Sequence, residues 1–167
     1  MYKNIIIIKN NNGDNMKIKD IMSNKIISAD AMDTIYDVSI LMKKNNIGFI
    51  PVKKENEIIG TITDRDIVVK AISNKCDITD TIMPYITNKV ISIDFNEDTN
   101  QALELMSKNQ IKRLIITRNN SPIGILSLSD IINNSDENIT DYIKKIWQLN
   151  NNCSEKIQKL INFIFKC

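Results

Sequence analysis

The chain has 167 residues, enough for one domain with a proper core, and its 43% hydrophobic and 25% charged residues are globular in composition. A net charge of +2 supplies neither a bulk basic field for nucleic acid nor an acidic tail. The absence of His removes the usual general base and the commonest metal ligand, and Cys76, Cys153 and Cys167 are scattered without a C-x-x-C pair, which points to a reducing, cytoplasmic setting.

In chain order, Met1 to Ile8 reads as a short edge strand, and its apolar run Ile5–Ile8 is too short for a signal-peptide core or a membrane span. Lys9 to Asn15 reads as a flexible connection. Ile18 to Met22 is a short amphipathic turn and Ile26-Ile27-Ser28 a short strand. Asp33 or Thr34 caps a helix with Ile35, Val38, Leu41 and Met42 on its apolar face, closed by Asn45-Asn46. Gly48 to Val52 and Ile58 to Thr63 are strands around a charged turn, and a helix follows from Asp64 to about Ser73. The order then returns: a turn from Ile78 to Met83, a strand at Val90-Ile91-Ser92, a helix from about Glu97 to Asn109, strands Lys112–Thr117 and Ile123–Ser127, and a helix Leu128–Asn133. Met22, Met42, Met83 and Met106 read as core filler.

The return is a repeat in residues as well as in order. At an offset of 64, Asn24–Ile67 aligns without a gap with Asn88–Ile131, and 15 of the 44 positions are identical, well above chance even for a chain rich in Ile, Asn and Lys. Each unit ends in a turn of the form G-x-x-[S/T]-x-x-D, at Gly60 to Asp66 and Gly124 to Asp130, where a strand runs into a helix. One strand–helix–strand–strand–helix unit has too few strands to bury both faces, so two must pack together. The repeat stops at Asp136, and two amphipathic stripes follow: Ile139, Tyr142, Ile143, Ile146 and Trp147, then Ile157, Leu160, Ile161 and Ile164, with Asn150 to Asn152 between them.

These residues resemble a tandem pair of CBS domains, the regulatory module named after cystathionine beta-synthase. The matching stretches are Ile18 to Met22, Ile47 to Val52 and Gly60 to Ile67, and in the second copy Thr81 to Met83, Ile111 to Ile116 and Gly124 to Ile131. The resemblance implies an α/β (α+β) fold of two β-α-β-β-α repeats with pseudo-two-fold symmetry plus C-terminal amphipathic helices. Its divisions would be an N-terminal segment 1–15, repeats 16–75 and 76–135, and a helical extension 136–167.

The function implied is a non-catalytic sensor that takes an adenosine-containing ligand (AMP, ADP, ATP or S-adenosylmethionine) in the clefts between repeats. In such pairs the aspartate of the turn grips the ribose hydroxyls, which carries over to Asp66 and Asp130, with Thr63 and Ser127 as the neighbouring hydroxyls. Ile27-Ser28 and Ile91-Ser92 would wall the adenine. Only three residues are Arg, and two of them, Arg65 and Arg113, fall beside the expected clefts with a fork suited to phosphate. Asp64 and Lys112 complete the candidate set. The second copy departs from the pattern, with Leu128-Ser129 for Asp64-Arg65 and Ile115 for Pro51.

The plain alternative for each turn is a capping box, since Ser/Thr followed three residues later by an acid is a helix start. No metal site, required cofactor or catalytic constellation is expected. A second functional reading keeps the clefts empty and gives the work to the C-terminal helices as a protein-interaction module. A homodimer is expected, using a surface flanked by the helices around Val38–Met42 and Ala102–Met106; a membrane is not, and the small basic excess argues against nucleic acid.

Overall fold

The computed structural model describes residues 16–134 and 140–146. Met1 to Asn15, the stripe residues Ile139 and Trp147, the asparagine break at 150–152 and the second stripe Ile157 to Ile164 lie outside them, as do Cys153 and Cys167. The first unit begins with a single helical turn, α1 (Ile18–Ile21), and continues through β1 (Ala29–Asp30), α2 (Ile35–Asn45), β2 (Phe49–Lys54) and β3 (Glu57–Thr63) into α3, which starts at Asp64–Asp66. The second runs β4 (Ser92–Asp94), α4 (Thr99–Asn109), β5 (Arg113–Arg118), β6 (Ser121–Ser127) and α5 (Leu128–Asn134), and α6 (Thr140–Ile146) follows.

Each unit builds its own three-stranded sheet, ordered β1-β2-β3 and β4-β5-β6. The first pair of strands in each is parallel and joined by a helix, as parallel pairing requires, and the second pair is an antiparallel hairpin. The offset of 64 survives in the registers: Ile50 pairs Ile62 and Leu114 pairs Leu126, and both hairpins shift register at equivalent places, Val52/Lys53 and Ile116/Thr117.

Local chemistry accounts for the element ends. Thr34 caps α2 through a complete capping box, its hydroxyl accepting from the Asp37 N–H at 3.1 Å while its own N–H donates to the Asp37 carboxylate at 3.2 Å. Asp98 caps α4 by accepting from the Gln101 N–H at 3.0 Å, so that helix starts two residues later than the apolar pattern suggests. Both helices close on a left-handed residue, Asn46 (φ 52°) and Gln110 (φ 55°).

Two expectations are corrected. The leading strands lie at Ala29–Asp30 and Ser92–Asp94, not at Ile26–Ser28 and Val90–Ser92, because the residues before them are drawn across to the other unit. The helix expected from Asp64 to Ser73 is regular only over Asp64–Asp66; Ile67–Ala71 widens into a π-helical turn and Ile72–Asn74 tightens to 3₁₀. The widened stretch opens with three consecutive β-branched residues, Ile67-Val68-Val69, which crowd the preceding turn.

There are two cores, and the units exchange parts between them. Ile18 of α1 is fully buried in the second core among Ala102, Leu103, Met106, Leu114 and Leu126. Ile82 and Ile86, which lead into the second unit, belong to the first core with Val38, Ile50, Ile62 and Ile67. The crossing segments are pinned by reciprocal backbone pairs: Ser23 with Ile125 (both 2.9 Å), and Thr87 with Thr61 (3.0 and 2.8 Å).

This crossing explains the glycines of the repeated turns. A Cβ at Gly60 would lie 2.9 Å from the Thr87 carbonyl oxygen, and one at Gly124 would lie 2.5 Å from that of Ser23. The backbone that approaches them is the other unit's leading segment. α6 lies against α4, and its Ile143 and Ile146 are buried in the second core, so the described part of the first tail stripe finds its partner within the chain. Met83 is 44% exposed and is not core filler, unlike Met42 and Met106.

Candidate functional site

β3 delivers Thr63 to the start of α3 in extended geometry (φ −117°, ψ 161°), which turns its hydroxyl onto the helix's free N–H groups. The Asp66 N–H donates to Thr63 Oγ1 at 3.0 Å, and the Thr63 N–H and hydroxyl donate to Asp66 Oδ2 at 2.9 and 2.6 Å. The other carboxylate oxygen, Oδ1, is ion-paired with Lys70 Nζ at 2.8 Å. Lys70 also donates to Thr87 Oγ1 at 2.9 Å and to the Tyr85 carbonyl at 3.3 Å, so one ammonium ties the aspartate to the crossing segment. Partial burial pushes the Asp66 carboxyl upward, but the Lys70 and Thr63 hydrogen bonds and the Lys70 charge together hold it below the ordinary carboxylate value.

Around this corner the two units enclose a cavity of ≈ 400 Å³. The first unit contributes Gly48, Phe49, Thr61 and Thr63 to Asp66; the crossing segment contributes Thr87, Lys89 and Ile91; and the second unit contributes Gln110 to Arg113. Of the residues expected from sequence, Thr63, Asp64, Arg65, Asp66, Ile91, Lys112 and Arg113 line this one space. Ile27, Ser28, Ser92, Ser127 and Asp130 are not among its lining residues.

Four cationic side chains and two carboxylates face the cavity. Arg113 stacks its guanidinium 5.9 Å from the Phe49 ring centroid, and Asp64 Oδ1 accepts from the Arg65 N–H at 2.7 Å. Desolvation against the cleft wall, then the charges of Arg113 and Arg65, push the Lys112 ammonium below its ordinary value, with Asp64 opposing them. Lys70, Lys89, Phe49 and Thr87 were not singled out by sequence. Lys70 had a signal in its i,i+4 spacing from Asp66, and Lys89 in its identity with Lys25 at the repeat offset.

The equivalent corner in the second unit is built on the same box but differs around it. Asp130 Oδ2 accepts from the Ser127 N–H and hydroxyl, both at 2.7 Å, and the Asp130 N–H donates to Ser127 Oγ at 3.2 Å. Where the first unit has Lys70 the second has Asn134, whose amide turns to the Asp130 backbone carbonyl at 2.8 Å. Among the described residues no cation pairs with Asp130. Leu128, at the position of Asp64, is buried in the second core, and Ser129 stands in place of Arg65.

Two exchanged β-α-β-β-α units with a polar cleft at their junction define a tandem-repeat, ligand-sized binding architecture. Residues 18–72 and 80–137 each match the CBS domain, and the chain belongs to that family. Among relatives, the uncharacterized protein YlbB of Bacillus subtilis is 32% identical over 117 residues, covering 69% of this chain and 79% of that protein. The CBS domain-containing protein YhcV of the same organism is 31% identical over 121 residues, 72% and 86% of the two chains.

Among solved structures, an uncharacterized conserved protein from Pyrococcus horikoshii shares the fold at a TM-score of 0.68, 22% identity and coverage of 74% and 95%. The CBS domain pair of protein MJ0100, solved with 5'-methylthioadenosine and S-adenosyl-L-methionine, matches at a TM-score of 0.65, 27% identity and coverage of 72% and 95%.

Proposed function

We propose that this chain is a non-catalytic regulatory module that binds an adenosine-containing ligand (AMP, ADP, ATP or S-adenosylmethionine) in the cleft centred on Asp66. The carrying observation is that one cavity of ≈ 400 Å³, of the size small ligands use, is walled by both repeats and contains Thr63, Asp66, Ile91 and Arg113 together. Asp66 is the proposed ribose acceptor: a carboxylate has about four lone-pair sites, two are taken by Thr63 and one by Lys70, and the remaining one can accept from a ribose hydroxyl. Ile91 is the proposed adenine wall. A ligand that touches both repeats and binds one of their relative arrangements better than another shifts the equilibrium toward it, which is how such a module regulates.

The bound nucleosides of the MJ0100 domain pair support this ligand class. Ser127 and Asp130, with Ile27 and Ser28, form the proposed second site; it is the weaker one, because Leu128 and Ser129 replace Asp64 and Arg65.

Assembly as a cytoplasmic homodimer belongs to the same proposal. Val38, Met42, Ala102 and Met106 are buried in their own cores, so the large apolar side chains these helices leave for a partner are Tyr36 and Ile40 of α2, 54% and 43% exposed. Native mass spectrometry of freshly purified protein weighs any co-purified nucleotide and counts subunits. Equilibrium binding of AMP and ATP then decides the function: binding in the micromolar range supports it, and no binding of any adenosine compound by the pure protein contradicts it.

A further inference from the structure

We infer that the Asp66 cleft selects adenosine ligands that carry phosphate and rejects sulfonium nucleosides, an inference that rests on the adenosine reading above. Arg65, Lys89, Lys112 and Arg113 all line the cavity, against Asp64 and Asp66. Asp66 is already neutralised by Lys70 at 2.8 Å, which leaves the cleft cationic. Among the described residues neither Arg65 nor Arg113 makes an ion pair with a carboxylate. These are two of only three arginines in a chain with 22 basic residues, and Arg is the side chain whose planar fork matches phosphate oxygens.

The electrostatics point the same way. Desolvation first, then repulsion from the neighbouring Arg113 and Arg65 charges, push the Lys112 ammonium below its ordinary value, with Asp64 opposing them, so part of the shift is crowding among the cleft's cations. A phosphate chain relieves that crowding. S-adenosylmethionine brings a sulfonium and an ammonium against a single carboxylate, a net positive charge that worsens it. At the repeat offset Ser129 stands for Arg65 and Phe49 for Arg113, so the excess of arginine is not a consequence of the fold.

The test is calorimetric titration of the full chain with 5'-methylthioadenosine, adenosine, AMP, ADP and S-adenosylmethionine, at low and at high salt. AMP and ADP are expected to bind at least about ten-fold more tightly than the two neutral nucleosides, with S-adenosylmethionine weakest of all. That advantage should shrink as salt rises. Arg65→Gln and Arg113→Gln should each lose about ten-fold toward ADP and markedly less toward 5'-methylthioadenosine, with an unchanged urea-unfolding midpoint showing that the variants are folded; equal losses toward both ligands would overturn the phosphate role of these arginines. Equal affinity for ADP and 5'-methylthioadenosine, or S-adenosylmethionine binding as tightly as ADP, overturns the selectivity and leaves the adenosine reading standing. No binding of any of the five overturns both.

Discussion

Asp66 and Lys70 are held together at 2.8 Å, with the aspartate side chain 17% exposed and the lysine 41% exposed, so the pair is partly screened and contributes on the order of 0.5–1 kcal/mol. Its pH dependence has a definite sign. The folded-state carboxyl lies below its ordinary value, so the stabilisation is fully present above the unfolded value of about 4 and is lost as pH falls through the folded one. Lys70→Gln removes one of the causes of that depression. Its stability deficit relative to wild type, followed by urea denaturation, should be full at pH 7 and should close below about pH 4. A deficit that stays constant down to pH 3 would show that Lys70 acts by packing or by its bonds to Tyr85 and Thr87 alone.

Gly124 is a second position where a single residue decides the outcome. A Cβ there meets the Ser23 carbonyl, which is backbone and cannot swing aside, so Gly124→Ala should cost at least about 2 kcal/mol in thermal or urea unfolding. An unchanged midpoint would mean that the crossing segment can be displaced at no cost.

Among the elements, the hairpins and long helices were legible because their signals are local. Alternating or continuous apolar runs marked β2, β3, β5 and β6, and helical spacing marked α2 and α4. The leading strands β1 and β4 were misplaced by two or three residues because their positions depend on where the chain crosses between units, a tertiary fact with no local pattern. Exchange of the leading turns was illegible for the same reason: Ile18 looks equally apolar whichever core it enters. The two capping boxes at Thr63 and Ser127 were legible, and so was the i,i+4 spacing of Lys70 from Asp66, but the approach of Thr87 to Lys70 was not, because the crossing segment arrives from elsewhere in the fold.

Equal caps with unequal surroundings can be separated by experiment. Thr63→Ala and Ser127→Ala should each cost about 1 kcal/mol of stability as lost helix caps. With the tighter site in the Asp66 cleft, only Thr63→Ala should also weaken nucleotide binding there. Equal loss of affinity in both variants would indicate two equivalent sites.

For the molecule as a whole, the exchange of α1 and of Ile82 and Ile86 makes the two cores interdependent: neither repeat contains all of its own core. α6 adds a further tie, and Ile143→Ala should destabilise the protein by about 2–5 kcal/mol in a single cooperative transition, since it empties a fully buried position. The pseudo-symmetric frame then carries one cationic cleft with a tethered aspartate and one corner whose aspartate has no ion pair among the described residues.

The central claim is that Asp66 is a ribose acceptor and more than a cap, and calorimetric titration of AMP into wild type, Asp66→Asn and Asp130→Asn tests it most directly. Asparagine at this third helical position can still accept from the Thr63 N–H, but it loses the charge-assisted acceptor, a change of about 1.5–3 kcal/mol or ten-fold and more in affinity. A ribose-binding Asp66 predicts that Asp66→Asn weakens the tighter AMP site by at least about ten-fold while Asp130→Asn leaves that site unchanged. Wild type and Asp66→Asn binding AMP equally well would contradict it.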